Sequence, residues 1–176
     1  GAAIAQQFAI DGSDVAITYN SNEAAGLAVA QDISAKGRKA SVHQLNAADL
    51  KGIERVIAEV IAQHGRIHTL VFSAAGVAHQ LHISEFTDEL WNEHINAEVT
   101  GFYKLCRGLL PHFKAQGGGS IVHIGSGGHI IWSARDGLSV IPKSANEALI
   151  RGIASEEGQY NIRANSVLVG VIEAGM

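Results

Sequence analysis

Short apolar stretches and stretches of helical periodicity alternate along the whole chain. The apolar stretches are rich in β-branched residues and predict strands at residues 15–19, 40–45, 69–73, 120–124 and 162–168. Apolar residues spaced three or four apart predict helices at residues 2–10, 23–36, 49–64, 91–116 and 139–160, with a short helix after Ser84. This alternation predicts an α/β fold, a Rossmann-like doubly wound parallel sheet with helices on both faces in three layers.

Composition and charge limit the classes of protein to which this chain can belong. The chain has 176 residues, of which 47% are hydrophobic, enough for the core of one domain. A formal net charge of −4 without a basic cluster argues against a nucleic acid or an anionic membrane as partner. The apolar runs are too short for a membrane-spanning helix. Because Cys106 is the single cysteine and cannot form an internal disulfide, we expect a reducing, cytoplasmic location.

Residues 119–146 are the most informative segment of the chain. They predict a buried strand, a polar Gly-rich turn with Ser126, a loop, and a helix that carries Lys143, 17 residues after Ser126. This segment resembles the active-site segment of the short-chain dehydrogenases/reductases, and the likeness extends over essentially the whole chain. The resemblance implies redox chemistry on a carbonyl or alcohol group with NAD(P)(H). That family has a Tyr four residues before the Lys, whereas this chain has Ser139.

The resemblance implies roles for three further residues of the site. Ser126 matches the Ser that hydrogen-bonds the substrate oxygen, and Lys143 matches the Lys that binds the nicotinamide ribose and favours proton transfer. Glu98 stands where the family has an Asn that holds a water in a proton relay. We expect Glu98 to hold the same water or to pair directly with Lys143, the alternative being an ordinary exposed helix Glu. Asn96 lies two residues earlier, on a different helix face.

Ser139 is the position at which it is open whether the chain can supply the catalytic proton. A neighbouring ammonium lowers the pKa of a phenol from about 10 towards neutral pH, whereas an aliphatic hydroxyl is a much weaker acid. Either the activity is lost, or the proton comes from Asp136, from His129, or from a water held by Ser126 and Ser139. A helix that begins at Ser139 would place Pro142 in its first turn, where proline is tolerated.

The resemblance also implies which residues contact the cofactor. Ala74, Ala75 and Gly76 follow the strand at residues 69–73, where small residues let the adenine ribose approach the backbone. Gly1 matches the last glycine of the family's Gly-rich turn. Gly170 matches the glycine of a Pro-Gly pair beside the nicotinamide.

The end of the strand at residues 15–19 bears on the choice between NADP(H) and NAD(H). Tyr19, Asn20 and Ser21 stand where NAD-preferring Rossmann proteins place an acidic residue. Hydroxyl and amide groups can donate to a 2′-phosphate that a carboxylate would repel, so NADP(H) is favoured and NAD(H) stays open. Asn46 stands where an Asp commonly contacts the adenine. An ordinary turn that caps the next helix is compatible with either cofactor.

The ends of the chain differ from those of a whole domain. The chain opens on a predicted helix, whereas a Rossmann unit opens on a strand and a Gly-rich turn. We therefore expect residues 1–176 to be a single NAD(P)-binding domain without its first strand, most of its Gly-rich turn and its C-terminal substrate lid. The chain would then be part of a longer protein.

Two functions of different classes stay open. The first is an atypical NADP(H)-dependent oxidoreductase that acts on a small ketone or secondary alcohol and resembles 3-oxoacyl reductases. The second is a non-catalytic family member that serves as a cofactor-binding or structural subunit. Helices 91–116 and 139–160 match those through which family members assemble, so a homodimer or homotetramer is expected. No metal site is expected, because Gly65 ends the helix between His64 and His68.

Overall fold

The computed structural model describes residues 1–76 and 79–170. The chain divides into two compact units, residues 1–67 and residues 68–176, which are described separately. In the described part of the chain, no helix is both long enough and apolar enough to span a bilayer.

The first unit contains two parallel strands and three helices. The strands are β1 (Val15–Tyr19) and β2 (Ala40–Gln44), and the helices are α1 (Ala2–Ile10), α2 (Glu23–Ala35) and α3 (Leu50–His64). The Asn22 side chain accepts a hydrogen bond from the amide of Ala25 and so caps α2, as Asp49 does for α3. Gly65 ends α3 with a φ of 80°, a conformation that favours glycine. The apolar faces of these elements form the unit's core, which includes Ala9, Ile33, Ile53, Val56 and Val60.

The second unit is built on three parallel strands in the order β3-β4-β5. These are β3 (Thr69–Phe72), β4 (Gly119–Ser126) and β5 (Ile162–Val169). The helices are α4 (Asp88–His94), α5 (Gly101–Ala115) and α6 (Gly137–Glu157), with 3₁₀ turns at Ile83–Glu85, Gly127–His129 and Gly158–Tyr160. Ser126 pairs with Val169 at the carboxyl end of β4. Binding sites of parallel sheets form at this edge, so the loop after β4 is where a functional group is expected.

The core of the second unit is made by the central strand and by the inward faces of α5 and α6. Every second residue of β4 is buried, from Gly119 to Gly125, as in a strand covered by helices. The largest fully buried apolar side chains of this unit are Phe102, Phe113, Leu109, Ile121, Leu138, Ile162 and Val140. Each such side chain stabilises the fold by about 1.5–3 kcal/mol through burial.

The Rossmann-like α/β class predicted from the sequence is confirmed by the parallel strands and their flanking helices. All five predicted strands are present, and their ends shift by at most two residues. The helix predicted over residues 91–116 is interrupted, because a π-helical segment, Ile95–Thr100, separates α4 from α5. The single-domain organisation stays a prediction.

Pro142 is not where the sequence pattern placed it. Helix α6 begins at Gly137, two residues before the predicted start, so Pro142 is buried inside the helix and not in its first turn. Proline has no N–H to donate there, and its ring is accommodated in the interior of the unit. Residues 137 and 138 extend the helix because the amides of Ser139 and Val140 both donate to the carbonyl of Asp136.

Candidate active site

Ser126 lies where β4 gives way to a tight turn. Its Oγ accepts a hydrogen bond of 3.0 Å from the amide of Gly128, which fixes the side chain and leaves the hydroxyl hydrogen free to donate to another group. A Cβ on Gly128 would lie 2.5 Å from Val140 Cγ2, so the turn packs directly against the first turn of α6. Glycine is therefore required at residue 128, and the turn brings Ser126 to the same region as Ser139.

Lys143 and Ser139 are one helical turn apart on α6. Lys143 Nζ lies 3.3 Å from Ser139 Oγ and 3.5 Å from the Ser139 carbonyl oxygen. The Lys143 side chain is 13% exposed, so its ammonium is held largely inside the protein. The spacing of four residues, which the sequence analysis singled out, does place these two side chains in contact.

Glu98 is the buried partner of Lys143. Lys143 Nζ donates to Glu98 Oε2 at 3.0 Å, and the amide of Gly76 donates to Oε1 at 3.1 Å. Glu98 is 2% exposed, whereas Asn96 is exposed on another face, as expected. Of the two arrangements proposed for Glu98, the structure has direct pairing with Lys143. A buried carboxylate needs such compensation, because an uncompensated buried charge is strongly destabilising.

The π-helical segment Ile95–Thr100 positions this carboxylate. A π-helix has a wider turn than an α-helix, and single π turns occur frequently at functional sites. Glu98 lies in the middle of the segment, and its own backbone carbonyl accepts a hydrogen bond of 3.2 Å from Asn146 Nδ2 on α6. Asn146 is fully buried, so this contact fixes the segment to α6 three residues beyond Lys143.

Gly76 has a structural reason to be glycine. A Cβ at this position would lie 2.8 Å from Cε1 of the His94 ring, so any side chain would collide with that imidazole. The preceding residues Ala74 and Ala75 follow β3 and are exposed. They leave an open surface at the carboxyl end of β3, as the resemblance implies for a cofactor site.

His94 is a residue of this cluster that the sequence analysis missed. It is 3% exposed, and its Nδ1 lies 3.6 Å from Glu98 Oε1. The signal that could have revealed it is its spacing of four residues from Glu98 on one helical face. Glu98 is thus approached by the Gly76 amide, by Lys143 and by His94.

The two alternative acids named from the sequence lie close to Ser126 and Ser139. His129 Nδ1 donates to the carbonyl oxygen of Ser126 at 2.8 Å, so a neutral ring presents its other nitrogen as an acceptor. Asp136 immediately precedes α6, and its carbonyl accepts from the amide of Ser139 at 3.1 Å. His129 is exposed, as expected for a loop residue.

The remaining residues of the first unit that were predicted to contact the cofactor lie at helix starts and strand ends. Gly1 precedes α1 and its carbonyl accepts from the amide of Ala5 at 3.0 Å. Asn20 and Ser21 follow β1 and are exposed. Asn46 follows β2, where its Oδ1 accepts from the amide of Ala48 at 2.9 Å.

Tyr19 has a neighbour that the sequence analysis did not consider. Burial raises the pKa of Tyr19 above its usual value of 10.0, and the negative charge of the Glu23 carboxylate raises it further. Glu23 on the first turn of α2 therefore lies close enough to interact with the Tyr19 hydroxyl. A carboxylate is present near the end of β1 although residues 19–21 contain none. In the second unit, Gly170 directly follows β5, and a Cβ there would meet no atom of residues 1–76 or 79–170 within 4 Å.

Comparison with known proteins gives consistent matches over the whole chain. A family model described as enoyl-(acyl carrier protein) reductase matches residues 1–176. The short-chain dehydrogenase/reductase FrzI of Cladobotryum sp is 31% identical, over 98% of this chain and 66% of that protein. The 3-oxoacyl-[acyl-carrier-protein] reductase FabG of Staphylococcus aureus (strain Mu50 / ATCC 700699) is 27% identical, over 100% of this chain and 71% of that protein.

Solved structures match as well. The crystal structure of acetoin dehydrogenase from Enterobacter cloacae superposes with a TM-score of 0.88 at 27% identity, over 97% of this chain and 68% of that one. The chain therefore spans about two thirds of the length of the proteins that it matches.

Proposed function

Because this chain belongs to the short-chain dehydrogenase/reductase family, we propose that it is an atypical NAD(P)(H)-dependent oxidoreductase that interconverts a ketone and a secondary alcohol. The observation that carries the proposal is the buried contact of Lys143 with both Glu98 and Ser139, beside the turn that holds Ser126. Ser126 and Lys143 match residues of the family's active site, whereas Glu98 and Ser139 stand where the family has an Asn and a Tyr. A buried ammonium between a carboxylate and a hydroxyl is an arrangement suited to moving a proton.

The N–H groups of the Lys143 ammonium are suited to binding the nicotinamide ribose. An ammonium has three N–H groups, and the contacts at 3.0 and 3.3 Å to Glu98 and Ser139 use two of them. The third makes a long contact of 3.5 Å to the Ser139 carbonyl, which a ribose hydroxyl can replace. When bound, the cofactor would supply or accept the hydride at the carbonyl carbon.

Each residue then has one role in ketone reduction. Ser126, whose oxygen is already occupied by the Gly128 amide, donates its hydroxyl hydrogen to the substrate oxygen. Ser139 passes its proton to the same oxygen and receives one from Lys143. Glu98 holds Lys143 in place through their ion pair. In this scheme Lys143 is the acid, and Ser139 transfers the proton from Lys143 to the substrate oxygen.

For the cofactor, we propose a preference for NADP(H) over NAD(H). Tyr19, Asn20 and Ser21 offer hydroxyl and amide donors for a 2′-phosphate, and none of these three residues carries a carboxylate that would repel it. In the same way, the exposed Asn46 and the backbone at Gly1 would contact the adenosine half of the cofactor. We also propose a cytoplasmic, homo-oligomeric protein, since Cys106 is a buried free thiol and the family resemblance implies assembly through helices 91–116 and 139–160.

A second candidate function rests on Ser139 itself. An aliphatic hydroxyl in place of a phenol, together with a Lys143 ammonium already paired to Glu98, also suits a family member that binds the cofactor without turnover. Such a protein would serve as a cofactor-binding or structural subunit. Turnover separates the oxidoreductase from both kinds of subunit, and cofactor binding separates a cofactor-binding subunit from a purely structural one.

Titration of the full-length protein with NADPH and NADH, followed by nicotinamide fluorescence, tests the cofactor proposal. We expect saturable binding at micromolar concentrations and tighter binding of NADPH. A Lys143→Met variant is the matched control and should bind NADPH at least about 10-fold more weakly, because it cannot contact the ribose. No binding of either nucleotide by folded protein would contradict the oxidoreductase and leave a purely structural subunit.

A further inference from the structure

Arg135 lies in a tight turn directly before α6. The amide of Asp136 donates to the carbonyl of Ser133 at 3.3 Å and closes the turn, and Arg135 has a φ of 64°. Glycine adopts this left-handed conformation freely and asparagine adopts it readily, whereas a long side chain is strained there. Strained residues of this kind cluster at ligand sites, so an arginine in this turn requires an explanation.

The guanidinium of Arg135 has N–H groups to spare. Its Nε donates to Nε2 of His82 at 3.1 Å, and Arg135 forms no ion pair within residues 1–76 and 79–170. The acidic side chain next to this contact, that of Glu85, accepts from the His82 amide at 2.7 Å instead. Because a guanidinium has five N–H groups and Arg135 is exposed, the N–H groups of both terminal nitrogens are open to a ligand.

Two loops of the second unit hold Arg135 in position. These are residues 79–87, before α4, and residues 130–136, before α6. Leu81 and Asp136 form a parallel β-bridge between the loops. A Cβ on Gly137 would lie 2.8 Å from Cζ of Phe86, so the start of α6 packs directly against the first loop. The side chain of Arg135 is therefore anchored between two segments that contact each other.

This anchored arginine adjoins the candidate active site. The carbonyl of the residue after Arg135 accepts from the amide of Ser139 at 3.1 Å, so Arg135 lies about one helical turn from Ser139. At the other end of the loop, the Ile130 amide donates to the carbonyl of Gly127, the residue after Ser126. A substrate whose oxygen contacts Ser126 and Ser139 therefore has Arg135 within reach of its far end.

The same loop exposes three large apolar side chains. Ile130, Ile131 and Trp132 are 71%, 80% and 50% exposed, and the Trp132 ring lies beside Gly137. Adjacent exposed apolar residues with a polar rim mark binding surfaces. Arg135 is the only lysine or arginine of residues 126–142. One guanidinium matches the single charge and planar shape of a carboxylate, whereas phosphate groups are usually held by clusters of arginines.

We propose that Arg135 binds a carboxylate of the substrate, so that the protein interconverts a keto acid and the corresponding hydroxy acid. This inference rests on the proposed function and names the substrate class of the same site. Arg135 donates two N–H groups to the carboxylate while its Nε stays on His82, and the chain of the substrate lies along residues 130–132. The keto carbon takes the hydride of the nicotinamide, the keto oxygen takes the proton that Ser139 passes on, and the carboxylate is unchanged.

Steady-state kinetics with NADPH test this on substrate pairs that differ in charge. Each pair is a methyl keto acid, from acetoacetate to acetylbutyrate, and its neutral methyl ester. We expect the wild-type kcat/KM for at least one acid to exceed that for its ester by about 10-fold or more. Arg135→Asn, which suits the left-handed backbone, should raise KM for that acid by about 10-fold or more and change kcat/KM for the ester by less than about 2-fold. Arg66→Asn, at an exposed arginine of the first unit, is the matched control and should keep the wild-type values.

Binding of the same acid provides a readout that does not need turnover. With and without NADP⁺, titration with the acid should change the fluorescence of Trp132, and the change should be lost in Trp132→Phe. Arg135→Asn should weaken this binding by about 10-fold or more.

The outcomes separate the carboxylate site from the proposed function. Equal kcat/KM values for acids and esters, or an equal effect of Arg135→Asn on both, would overturn the carboxylate site and leave the oxidoreductase. A protein that reduces no ketone, yet binds the acid through Arg135, would contradict the oxidoreductase and keep the carboxylate site. Absence of both turnover and binding would contradict both.

Discussion

Lys143 Nζ lies 3.0 Å from Glu98 Oε2, and both side chains are largely buried. The pair joins the π-helical segment to α6 in the interior of the second unit. Removing both charges from water costs several kcal/mol for each ion, so the pair persists only because the Gly76 amide and Ser139 satisfy its remaining hydrogen-bonding groups. A pair of this kind contributes little net stability, but loss of one member should cost a great deal.

The first prediction concerns the stability of this pair. Glu98→Ala should lower the free energy of unfolding by about 3 kcal/mol, because it leaves a buried ammonium without a counter-charge. Lys143→Met should have a similar effect, since Glu98 then loses its cation. The double variant should lose clearly less than the sum of the two. Urea denaturation of the four proteins measures this coupling, and strictly additive losses would contradict a direct interaction.

The second prediction concerns the position of the missing phenol. Ser139→Tyr should raise kcat for ketone reduction by about 10-fold or more, because the Lys143 ammonium lowers the pKa of a neighbouring phenol. Ser139→Phe is the matched control, with the same ring and no hydroxyl, and should not raise kcat. Stopped-flow measurement of NADPH oxidation gives both rates. Equal rates for the two variants would show that the hydroxyl at this position carries no proton.

The third prediction concerns acid stability. Burial lowers the pKa of His123 below 6.5, and the ring stacks on Phe102 at a centroid distance of 5.3 Å. Below about pH 6.5 the unfolded chain therefore binds a proton on this residue while the folded chain does not. Stability should be highest above that pH and should fall as the pH drops towards the lowered pKa of the folded state.

Thermal unfolding at several pH values measures this effect. His123→Gln keeps an amide that can bond Ser166 but does not titrate, so its Tm should fall less between about pH 6.5 and pH 5 than that of the wild type. Burial also lowers the pKa of His64, so the Tm of both proteins falls further as the pH drops. Parallel curves for wild type and variant would exclude His123 as a source of the acid sensitivity.

The fourth prediction concerns cofactor preference. The Glu23 carboxylate interacts with the Tyr19 hydroxyl at the end of β1, where a 2′-phosphate is expected. Glu23→Gln removes this negative charge and should tighten NADPH binding by about 3-fold or more, with little change for NADH. Fluorescence titration of both nucleotides checks the result. An equal change for the two would place Glu23 away from the 2′-phosphate.

The fifth prediction concerns the single cysteine. Burial raises the pKa of Cys106 to about 12, and the residue is 1% exposed in α5. The thiolate is the reactive form, so the folded protein should react with an aromatic disulfide reagent far more slowly than the urea-unfolded protein. Rapid reaction of the folded protein would indicate that α5 opens locally.

The sequence predicted the strands well because each is a short apolar run bounded by glycine or polar residues. The C-terminal end of α3 followed from Gly65, whereas Asp49, which the prediction placed inside this helix, is its N-cap. The contact of Ser139 with Lys143 followed from a spacing of four residues on one helix. Local patterns of this kind survive folding because tertiary contacts reinforce them.

Other features depend on contacts that local pattern does not encode. A π-helical turn has no sequence signature of its own, so the interruption at Ile95–Thr100 was not predicted. Pro142 lies inside α6 because the helix begins at Gly137, where the Asp136 carbonyl accepts the first hydrogen bonds, and this start was not predicted. The approach of His94 to Glu98 could have been suspected from their spacing of four residues. The position of Gly76 against the His94 ring depends on how the end of β3 packs against α4, and only the tertiary structure shows this packing.

The most direct test of the account is the oxidation of NADPH by the full-length protein in the presence of small ketones, followed at the nicotinamide absorbance for wild type and Ser126→Ala. We expect measurable turnover of at least one ketone by the wild type, and a kcat lower by about 100-fold or more in the variant, which cannot donate to the substrate oxygen. Binding of NADPH without turnover of any ketone, and no gain of turnover in Ser139→Tyr, would contradict an oxidoreductase and favour the non-catalytic subunit.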